Sequence, residues 1–404
     1  MNQKVVVIGH GYTSRLGVIR ALGEVGYEVT VIVMTGYKRG RKELNTTKPI
    51  DCYSKYVNKV WYCPSIQEEL VRLLLDHCKD PDQKVVIIPD SDFSAAAIDV
   101  NQDRLKEYFR FPHIDHEQWA VVAWMNKIRQ KEEAMNLGLN VAKGWEIEVR
   151  KGAYVIPEEI VYPCFAKPQT TLRGGKKGLR RCDTEKQLRE VIALISSNNP
   201  DITILVEEFK EIETEYALVG YTDAKNVIIP GIIQTKSLAN GGHFGVAKSG
   251  VIMPVNGFSD IVNQFGKFVL QTGFVGIFDI DFYKSDGKLV FCEMNFRYGG
   301  SGYAYTKMGV NLPEIMVRSL IGESIEGLNT TISRDSVFVN ERMCKDDWAE
   351  GYISSLSFFR LLKSADISFI HDARDPEPGR RFQMSLWDPE LNLKRIAKRL
   401  LRRK

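Results

Sequence analysis

The segment from Asp281 to Arg297 holds the residues whose types and spacing most clearly suggest chemistry. An Asp-Gly pair joins two runs of strand-forming residues there, which is typical of a β-hairpin with its turn at residues 285–288. Such a hairpin brings Asp281 near Glu293, and the two-residue period of a strand puts Glu293, Asn295 and Arg297 on one face. Carboxylate and amide oxygens suit Mg²⁺ held together with nucleotide phosphates. We interpret the hairpin as part of an ATP-consuming site; the alternative is an exposed edge hairpin with scattered charges.

The second strand of this hairpin is otherwise apolar, and Glu293 and Asn295 interrupt it. Polar residues inside an apolar strand call for a functional explanation. By strict alternation Cys292 faces away from Glu293, so we expect Cys292 in the hydrophobic core.

A lysine and a glycine-rich loop precede the hairpin by about a hundred residues. The segment 161–168 reads as a strand that ends at Lys167 before a proline, and a short strand follows at 179–182. The loop between them has glycines, which let backbone N–H groups approach phosphate oxygens, and basic side chains that balance their charge. A Walker sequence is absent, and a plain hairpin turn is the alternative. The loop residues of interest are Arg173, Gly174, Gly175, Lys176 and Gly178.

The segment from Thr203 to Val219 leads one strand through an acidic bend into another. Backbone groups at such a bend can bind an adenine edge, and a carboxylate can accept hydrogen bonds from ribose hydroxyls. An acidic turn that is merely solvated fits the same pattern. The residues concerned are Glu208, Phe209, Lys210, Glu211 and Glu215.

The chain opens with a strand, a helix and a strand, at about 4–8, 16–25 and 28–34, which predicts a parallel sheet. The turn with Gly9 and Gly11 is an incomplete dinucleotide motif, because Arg15 stands where a third glycine is needed. It is either a tight turn or a place where an anionic group binds beside Ser14 and Arg15. A later strand ends at 90–92 in Asp-Ser-Asp, which either binds a ligand or caps the next helix.

Taken in order, these segments resemble the ATP-grasp superfamily of carboxylate–amine ligases, from about Asn126 to Gly322. The first segment resembles the Rossmann-like domain that precedes the ATP-grasp fold in such enzymes. The resemblance implies an α/β and α+β protein: a Rossmann-like domain at 1–118, a two-part ATP-grasp domain at 119–330 with a lid at about 140–210, and a C-terminal extension at 331–404. We expect that extension to be an added element that the core fold does not require.

The resemblance also implies site residues. Lys127 and Lys167 match the lysines that contact ATP, and residues 173–178 match the lid over the phosphates. Residues 208–211 match the hinge that binds adenine. Glu215 matches the carboxylate that binds the ribose. Asp281, Glu293 and Asn295 match the ligands of Mg²⁺, with Mn²⁺ as a possible substitute, and Arg297 matches the arginine of the E-x-N-x-R signature. Arg297 and Lys167 are the expected catalytic residues, together with Lys236 and His243 from a polar loop.

The implied reaction joins a carboxylate to an amine through an acyl phosphate and releases ADP and phosphate. The domain order is similar to that of D-aspartate ligases of cell-wall synthesis, so an amino acid or a cell-wall precursor is the expected substrate class. A regulatory protein that binds ATP without ligase activity is the alternative. An NAD-dependent oxidoreductase is disfavoured by the incomplete glycine motif.

Composition sets further limits. The chain of 404 residues has a net charge of +4, and its seven cysteines form no CxxC pair, which argues against a disulfide framework or a zinc site. With no apolar run of membrane-spanning length and no signal peptide, we expect a cytoplasmic protein without a nucleic-acid partner. The basic segment 391–404 predicts an amphipathic helix that lies on an anionic membrane surface or packs on its own domain. A homodimer is left open.

Overall fold

A computed structural model describes residues 3–38, 43–170, 172, 180–197, 199–240, 245–390 and 398. Within these ranges the strands form sheets of five, four and nine strands. The five-stranded sheet is the N-terminal domain, the four-stranded sheet is a small subdomain, and the nine-stranded sheet carries the hairpin.

The five-stranded sheet is wholly parallel, as the sequence predicts, and its strand order is 3-2-1-4-5. Its strands are β1 (Lys4–Gly9), β2 (Glu28–Thr35), β3 (Val57–Pro64), β4 (Val85–Pro89) and β5 (Phe109–Arg110). The helices are α1 (Tyr12–Gly23), α2 (Gln67–His77), α3 (Asp92–Asp99) and α4 (Gln102–Leu105), with a 3-10 turn at Ile50–Tyr53. Valine and isoleucine dominate the central strands because both faces of the sheet are covered.

The strand order reverses between β1 and β4, and this reversal places two polar turns side by side. In open parallel sheets the crevice beyond such a switch point is where ligands bind. The Gly9–Gly11 turn follows β1, and residues 90–92 follow β4, so both turns lie at this crevice.

After β5 the chain enters the large sheet through β6 (His113–Ile114) and then forms α5 (Ala120–Trp124) and α6 (Lys127–Asn136). Apolar residues recur at helical spacing over residues 119–137, which predicts helical structure, and the structure contains two helices there. The side chain of Asn126 accepts hydrogen bonds from the backbone N–H groups of Ile128 and Arg129, at 2.9 and 3.2 Å. A side chain that caps a helix in this way marks a helix start, so α6 begins at Lys127.

The four-stranded sheet is antiparallel, and its strand order is 7-10-8-9. One helix covers its face with the side chains of Leu188, Val191 and Ile195. The elements are β7 (Gly144–Val149), β8 (Cys164–Pro168), β9 (Arg180–Cys182), α7 (Glu185–Ser196) and β10 (Ile202–Glu208).

The nine-stranded sheet has the main order 16-15-11-13-14-17-18, with two short strands at its margins. Its strands, besides β6, are β11 (Thr214–Asp223), β12 (Val227–Ile228), β13 (Ile232–Leu238), β14 (Ala247–Met253), β15 (Phe274–Ser285), β16 (Lys288–Asn295), β17 (Ser336–Val339) and β18 (Ile367–Ser368). The helices of this part are α8 (Ser259–Thr272), α9 (Tyr303–Lys307), α10 (Leu312–Ile321), α11 (Glu341–Ala349), α12 (Ser355–Lys363) and α13 (Pro376–Leu386).

The two faces of the large sheet carry different layers. One face packs on α8 through a cluster of phenylalanines that includes Phe265, Phe282 and Phe291. The other face contributes Val219 and Ile277 to a core that it shares with the N-terminal domain, α9 and α10. The two large domains are therefore joined by a continuous hydrophobic core.

The hairpin predicted from the Asp-Gly pair is confirmed. β15 ends at Ser285 and β16 begins at Lys288. The two turn residues, Asp286 and Gly287, have φ angles of 49° and 72°, as a tight hairpin turn requires.

The C-terminal extension is an integral part of the fold, which corrects the sequence-based expectation. β17 and β18 continue the large sheet, and α13 lies against the N-terminal domain. Arg20 of α1 and Asp375 are both fully buried, and their side chains form an ion pair at 2.9 Å. The same guanidinium donates to the carbonyl oxygens of Phe369 and Ile370, at 3.1 and 2.8 Å. The C-terminal extension is thus bound to α1 of the N-terminal domain.

Residues 391–397 and 399–404 of the predicted basic helix lie outside the described residues. The described residue between them, Lys398, forms an ion pair with Glu350 at 2.7 Å. This contact supports packing on the chain's own domain. Among the described residues, every helix is too short or too polar to traverse a bilayer.

We predict that Asp375→Asn lowers the free energy of unfolding by about 3–5 kcal/mol, because it leaves the buried charge of Arg20 without its counterion. Urea denaturation followed by circular dichroism would measure this change. Glu69→Gln breaks an exposed pair with Arg72 and should cost less than about 1 kcal/mol. Equal effects of the two substitutions would contradict the structural role of the extension.

Candidate functional site

The hairpin brings its acidic residues to one face of the sheet. In the β15–β16 pairing Asp281 lies directly opposite Glu293, and Asp279 lies opposite Asn295. Side chains at directly opposed positions of an antiparallel pair are neighbours on the same face. The predicted arrangement of Asp281, Glu293 and Asn295 on one face is therefore present in the structure.

Asp279 was missed by the sequence analysis, yet it belongs to this face. Its carboxylate accepts a hydrogen bond from Arg297 at 2.9 Å. Burial, and then the charge of Asp281, raise the pKa of Asp279, while Arg297 acts in the opposite direction. The signal that could have identified it is a second aspartate two residues before Asp281, in a strand that is otherwise apolar.

Arg297 connects the hairpin to the N-terminal domain. Its guanidinium also binds Asp92, the first residue of α3, at 3.2 Å. Ser91 caps that helix by accepting from the backbone N–H of Ser94. Ser91 therefore caps the helix, as one interpretation of the Asp-Ser-Asp turn expects, and Asp92 contacts Arg297. Ligand binding by this turn stays a prediction.

The buried face of α6 is polar, which is unusual for a helix that packs inside a protein. Lys127, Gln130 and Lys131 are all buried, and their spacing places them on one side of the helix. Gln130 ties the helix to the hairpin by donating to the carbonyl of Met294 at 2.9 Å and accepting from its N–H at 2.8 Å. Lys127 forms an ion pair with Glu293. The helix therefore lines the site with two cations.

Lys167 approaches the same region from β8. It forms an ion pair with Glu207 of β10 at 2.8 Å, and Glu207 also pairs with Lys131. Burial raises the pKa of Glu207, but the charges of Lys167 and Lys131 outweigh this effect and hold it at about 2. Burial lowers the pKa of Lys127 to about 8, and the nearby charge of Lys167 acts in the same direction. Glu207 and Lys131 were not singled out from sequence.

The donor set fits magnesium. Asp281 and Glu293 supply hard carboxylate oxygens, and Asn295 adds an amide oxygen. In the described ranges no three His, Cys, Asp or Glu side chains are arranged as a metal cluster, and Asn295 offers a further oxygen beside the two carboxylates. The ammonium of Lys127 already lies against Glu293, which shows that this carboxylate accepts a cation.

The hinge segment follows β10. The backbone N–H groups of Glu208 and Phe209 donate to the carbonyl oxygens of Lys143 and Pro163, at 2.9 and 3.0 Å. The carboxylate of Glu208 accepts from the N–H of Lys143 at 2.9 Å. The next two N–H groups, at 210 and 211, donate to no other described residue. They are the hinge groups open to a ligand.

Glu215 and Tyr283 form one wall of the cleft. They lie opposite each other in the β11–β15 pairing, beside Asp281. Burial, and then the charge of Asp281, raise the pKa of Glu215. Burial also raises the pKa of Tyr283, and the charges of Glu207 and Glu208 contribute to this shift. Glu208 of the hinge segment therefore lies within electrostatic reach of Tyr283.

Cys292 lies on the face of Glu293, and the expectation that it points into the core is wrong. Asp281 pairs with Glu293, whereas Phe282 pairs with Phe291, so β16 contains one extra residue between these pairs. This is a β-bulge, which interrupts the alternation of side chains. The charge of a Cys292 thiolate would raise the pKa of all three site lysines. Its sulfur is therefore within electrostatic reach of them.

The turn after β1 does not offer an anion site. Arg15 is fully buried and pairs with Asp51 at 2.5 Å, so its charge is used internally. The carboxylate of Asp90 lies directly over Gly9, where a Cβ atom would be only 1.2 Å from it. One oxygen of Asp90 is buried without a hydrogen bond. The tight-turn interpretation of this motif is the one that the geometry favours.

The structure does not bring Lys236 to the site, and it does not describe His243 or the glycine-rich loop. Lys236 is exposed and donates to Gln234 at 2.7 Å. Gln234 pairs with Tyr216, whose ring packs on Phe258, on the face away from Asp281. His243 lies outside the described residues, as do Arg173, Gly174, Gly175, Lys176 and Gly178.

Comparison with known proteins identifies the domain that holds this site. Residues 132–314 match the ATP-grasp domain family. This segment is similar to an ATP-grasp domain; it includes Lys167 and the hairpin, whereas Lys127 and Lys131 lie just before it. Among curated relatives, the carbamoyl phosphate synthase large chain of Clostridium perfringens is 25% identical over 206 residues, which cover 48% of this chain and 18% of that protein. The match thus spans a minor part of that relative.

Two solved structures share the fold. The L-amino acid ligase from Bacillus licheniformis has a TM-score of 0.61 at 18% identity and covers 83% of this chain and 80% of its own. N5-carboxyaminoimidazole synthetase from Staphylococcus aureus, solved with ADP, has a TM-score of 0.61 at 16% identity, over 84% and 83%. The sequence-based resemblance and fold class are confirmed.

We predict that Cys292 is the first cysteine to react with N-ethylmaleimide, and that MgATP slows this reaction. Cys292 is partly exposed in the ATP-grasp cleft, whereas the other six cysteines are buried. Peptide mapping by mass spectrometry would locate the label, with Cys292→Ser as the control. A label on another cysteine, or a rate that MgATP leaves unchanged, would contradict this placement.

Asp90 should make the protein less stable as pH rises. Burial, and then the charge of Asp51, raise the pKa of Asp90 to about 7, against the opposing charges of Arg15 and Arg297. Between the unfolded pKa near 4 and pH 7 the folded state alone holds this proton, so stability falls by up to about 1.4 kcal/mol per pH unit. Asp90→Asn should flatten the difference in unfolding free energy between pH 5 and pH 7.5. An unchanged profile would refute the assignment.

Proposed function

We propose that this protein is an ATP-dependent ligase that joins a carboxylate to an amine through an acyl phosphate and releases ADP and phosphate. The observation that carries the proposal is the hairpin register, which sets Asp281 against Glu293 with Asn295 on the same face. Lys127 pairs with Glu293, and Lys167 lies within electrostatic reach of Asp281. The hairpin and Lys167 fall within residues 132–314, which match the ATP-grasp domain family.

Each side chain has a role in this proposal. Lys127 and Lys167 neutralise the nucleotide phosphates, and the free N–H groups at 210 and 211 bind the adenine edge. Glu215 accepts hydrogen bonds from the ribose. Such a site accelerates phosphoryl transfer mainly by positioning its substrates and by neutralising charge.

Asp281, Glu293 and Asn295 would hold Mg²⁺. Once bound, the ion would supply positive charge to the phosphate oxygens during transfer. Glu293, which pairs with Lys127 in the structure, would be one of the residues that hold the ion, and Lys127 would neutralise phosphate oxygens. Burial and the charge of Lys167 keep the pKa of Lys127 near 8, so it is charged at neutral pH.

Arg297 would hold the substrate carboxylate and the transferred phosphoryl group. Asp92 and Asp279 fix its guanidinium at 3.2 and 2.9 Å, so its orientation is set before the substrate arrives. An arginine forms two parallel hydrogen bonds with a carboxylate, which gives direction as well as charge. The amine then attacks the carbonyl carbon of the acyl phosphate, and phosphate leaves.

The proposed substrates are amino acids or cell-wall precursors. The Bacillus licheniformis protein of similar fold is an L-amino acid ligase by name, and the Staphylococcus aureus protein was solved with ADP. These names support the class of reaction that we propose here. The cleft beside Arg297 is the place where the two substrates would meet.

The decisive experiment measures ADP release with pairs of amino acids and small carboxylates, followed by mass spectrometry of the product. With a carboxyl-¹⁸O substrate, one ¹⁸O atom should appear in inorganic phosphate, because the acyl phosphate transfers a carboxylate oxygen to it. ADP release without ¹⁸O transfer would refute the acyl phosphate. Tight ATP binding without turnover would indicate the regulatory alternative.

We predict that Glu293→Gln lowers the rate of ADP formation by roughly a hundredfold or more, because it removes a charged metal ligand at constant size. The Mg²⁺ concentration for half-maximal rate should rise. Glu326→Gln, an exposed carboxylate after α10, is the matched control and should leave both quantities unchanged. Equal rates for the two variants would contradict the proposed metal site.

A further inference from the structure

The proposed function does not explain why Glu207 pairs with two lysines. Glu207 is buried and forms ion pairs with two lysines, Lys131 and Lys167. A single lysine would suffice to neutralise one carboxylate. A second buried lysine adds a desolvation cost, and so it calls for an explanation.

The two lysines differ in their remaining contacts. Lys131 also donates to the backbone carbonyl of Ala142 at 3.1 Å and lies on the inner face of α6. Lys167 lies at the end of β8 and senses the charge of Asp281 in the cleft. Lys131 is therefore fixed behind Glu207, while Lys167 is the one of the two that borders the metal and phosphate region.

We propose that Lys131 is a positioning residue that keeps Glu207 neutralised, so that Lys167 can turn its charge toward the nucleotide phosphates. This inference rests on the proposed function. Without Lys131, Lys167 is the only counterion of the buried Glu207 carboxylate. Removing the last counterion of a buried charge is strongly unfavourable. Lys167 would then remain with Glu207, and its positive charge would be lost to the phosphates.

The geometry separates this role from that of Lys127. Lys127 shares the inner face of α6 with Lys131, but it pairs with Glu293, a proposed metal ligand. Lys131 pairs instead with Glu207 and donates to the carbonyl oxygen of Ala142. Two lysines four residues apart on one helix thus have different tasks.

The test compares the binding of MgATP and of adenosine by isothermal titration calorimetry. Lys131→Met should weaken MgATP binding by about tenfold or more, the effect of losing one charged contact. Adenosine affinity should stay the same, because adenosine carries no phosphates. Lys131→Arg should restore tight MgATP binding, since it retains the charge. Lys267→Met removes an exposed lysine on α8, across the sheet, and is the control for net charge.

The double variant Lys131→Met/Glu207→Gln gives the sharpest result. With the carboxylate removed as well, Lys167 has no competing partner, so MgATP affinity should return toward that of the wild type. A merely structural loss in Lys131→Met would not be reversed by a second substitution. Failure of this reversal, or unchanged MgATP affinity in Lys131→Met, would overturn the inference. A wild-type protein that binds no MgATP would instead refute the proposed function on which it rests.

Discussion

A buried charge needs a partner, and the cleft of this protein is organised by that requirement. Lys127 pairs with Glu293, Lys167 and Lys131 share Glu207, and Arg297 is held by two carboxylates. These pairs connect α6 to the hairpin, the small subdomain to α6, and the N-terminal domain to the hairpin. In the proposed reaction, nucleotide and metal replace partners that are already in place. These groups therefore lose most of their hydration when the protein folds, before a ligand binds. A site that is already organised in this way loses less free energy when the ligand binds.

Local sequence signals predicted the parts of the fold that depend on neighbouring residues. The Asp-Gly turn fixed the hairpin, and the alternation in β16 identified Glu293 and Asn295 as exceptions in an apolar strand. The same reasoning failed at Cys292, because a bulge shifts the alternation by one residue and leaves no clear mark in the sequence. It also passed over Asp279 in β15. An aspartate among phenylalanines and isoleucines was a signal in the sequence, but its partner, Arg297, is visible only in the structure.

Contacts between distant residues could not be read from the sequence. Arg20 and Asp375 are separated by 355 positions, and neither lies in a motif that suggests a partner. The burial of Lys131 could not be predicted for a related reason: a lysine on a charged helix normally faces solvent. Its burial results from the packing of the small subdomain against α6, where Lys131 pairs with Glu207 of β10. Burial is a property of the assembled domains, whereas periodicity and turn chemistry are properties of short segments.

The division of the site between domains bears on substrate selection. The proposed nucleotide contacts come from α6, the small subdomain and the hairpin, all after residue 119. Arg297, by contrast, receives one of its two carboxylate partners from Asp92, at the switch point of the N-terminal sheet. In the proposed reaction, a change in the loop beyond β4 would therefore alter the surroundings of Arg297 without touching the residues proposed to contact the phosphates. In the proposed reaction, the N-terminal domain would thus influence the surroundings of the substrate carboxylate without supplying a nucleotide contact.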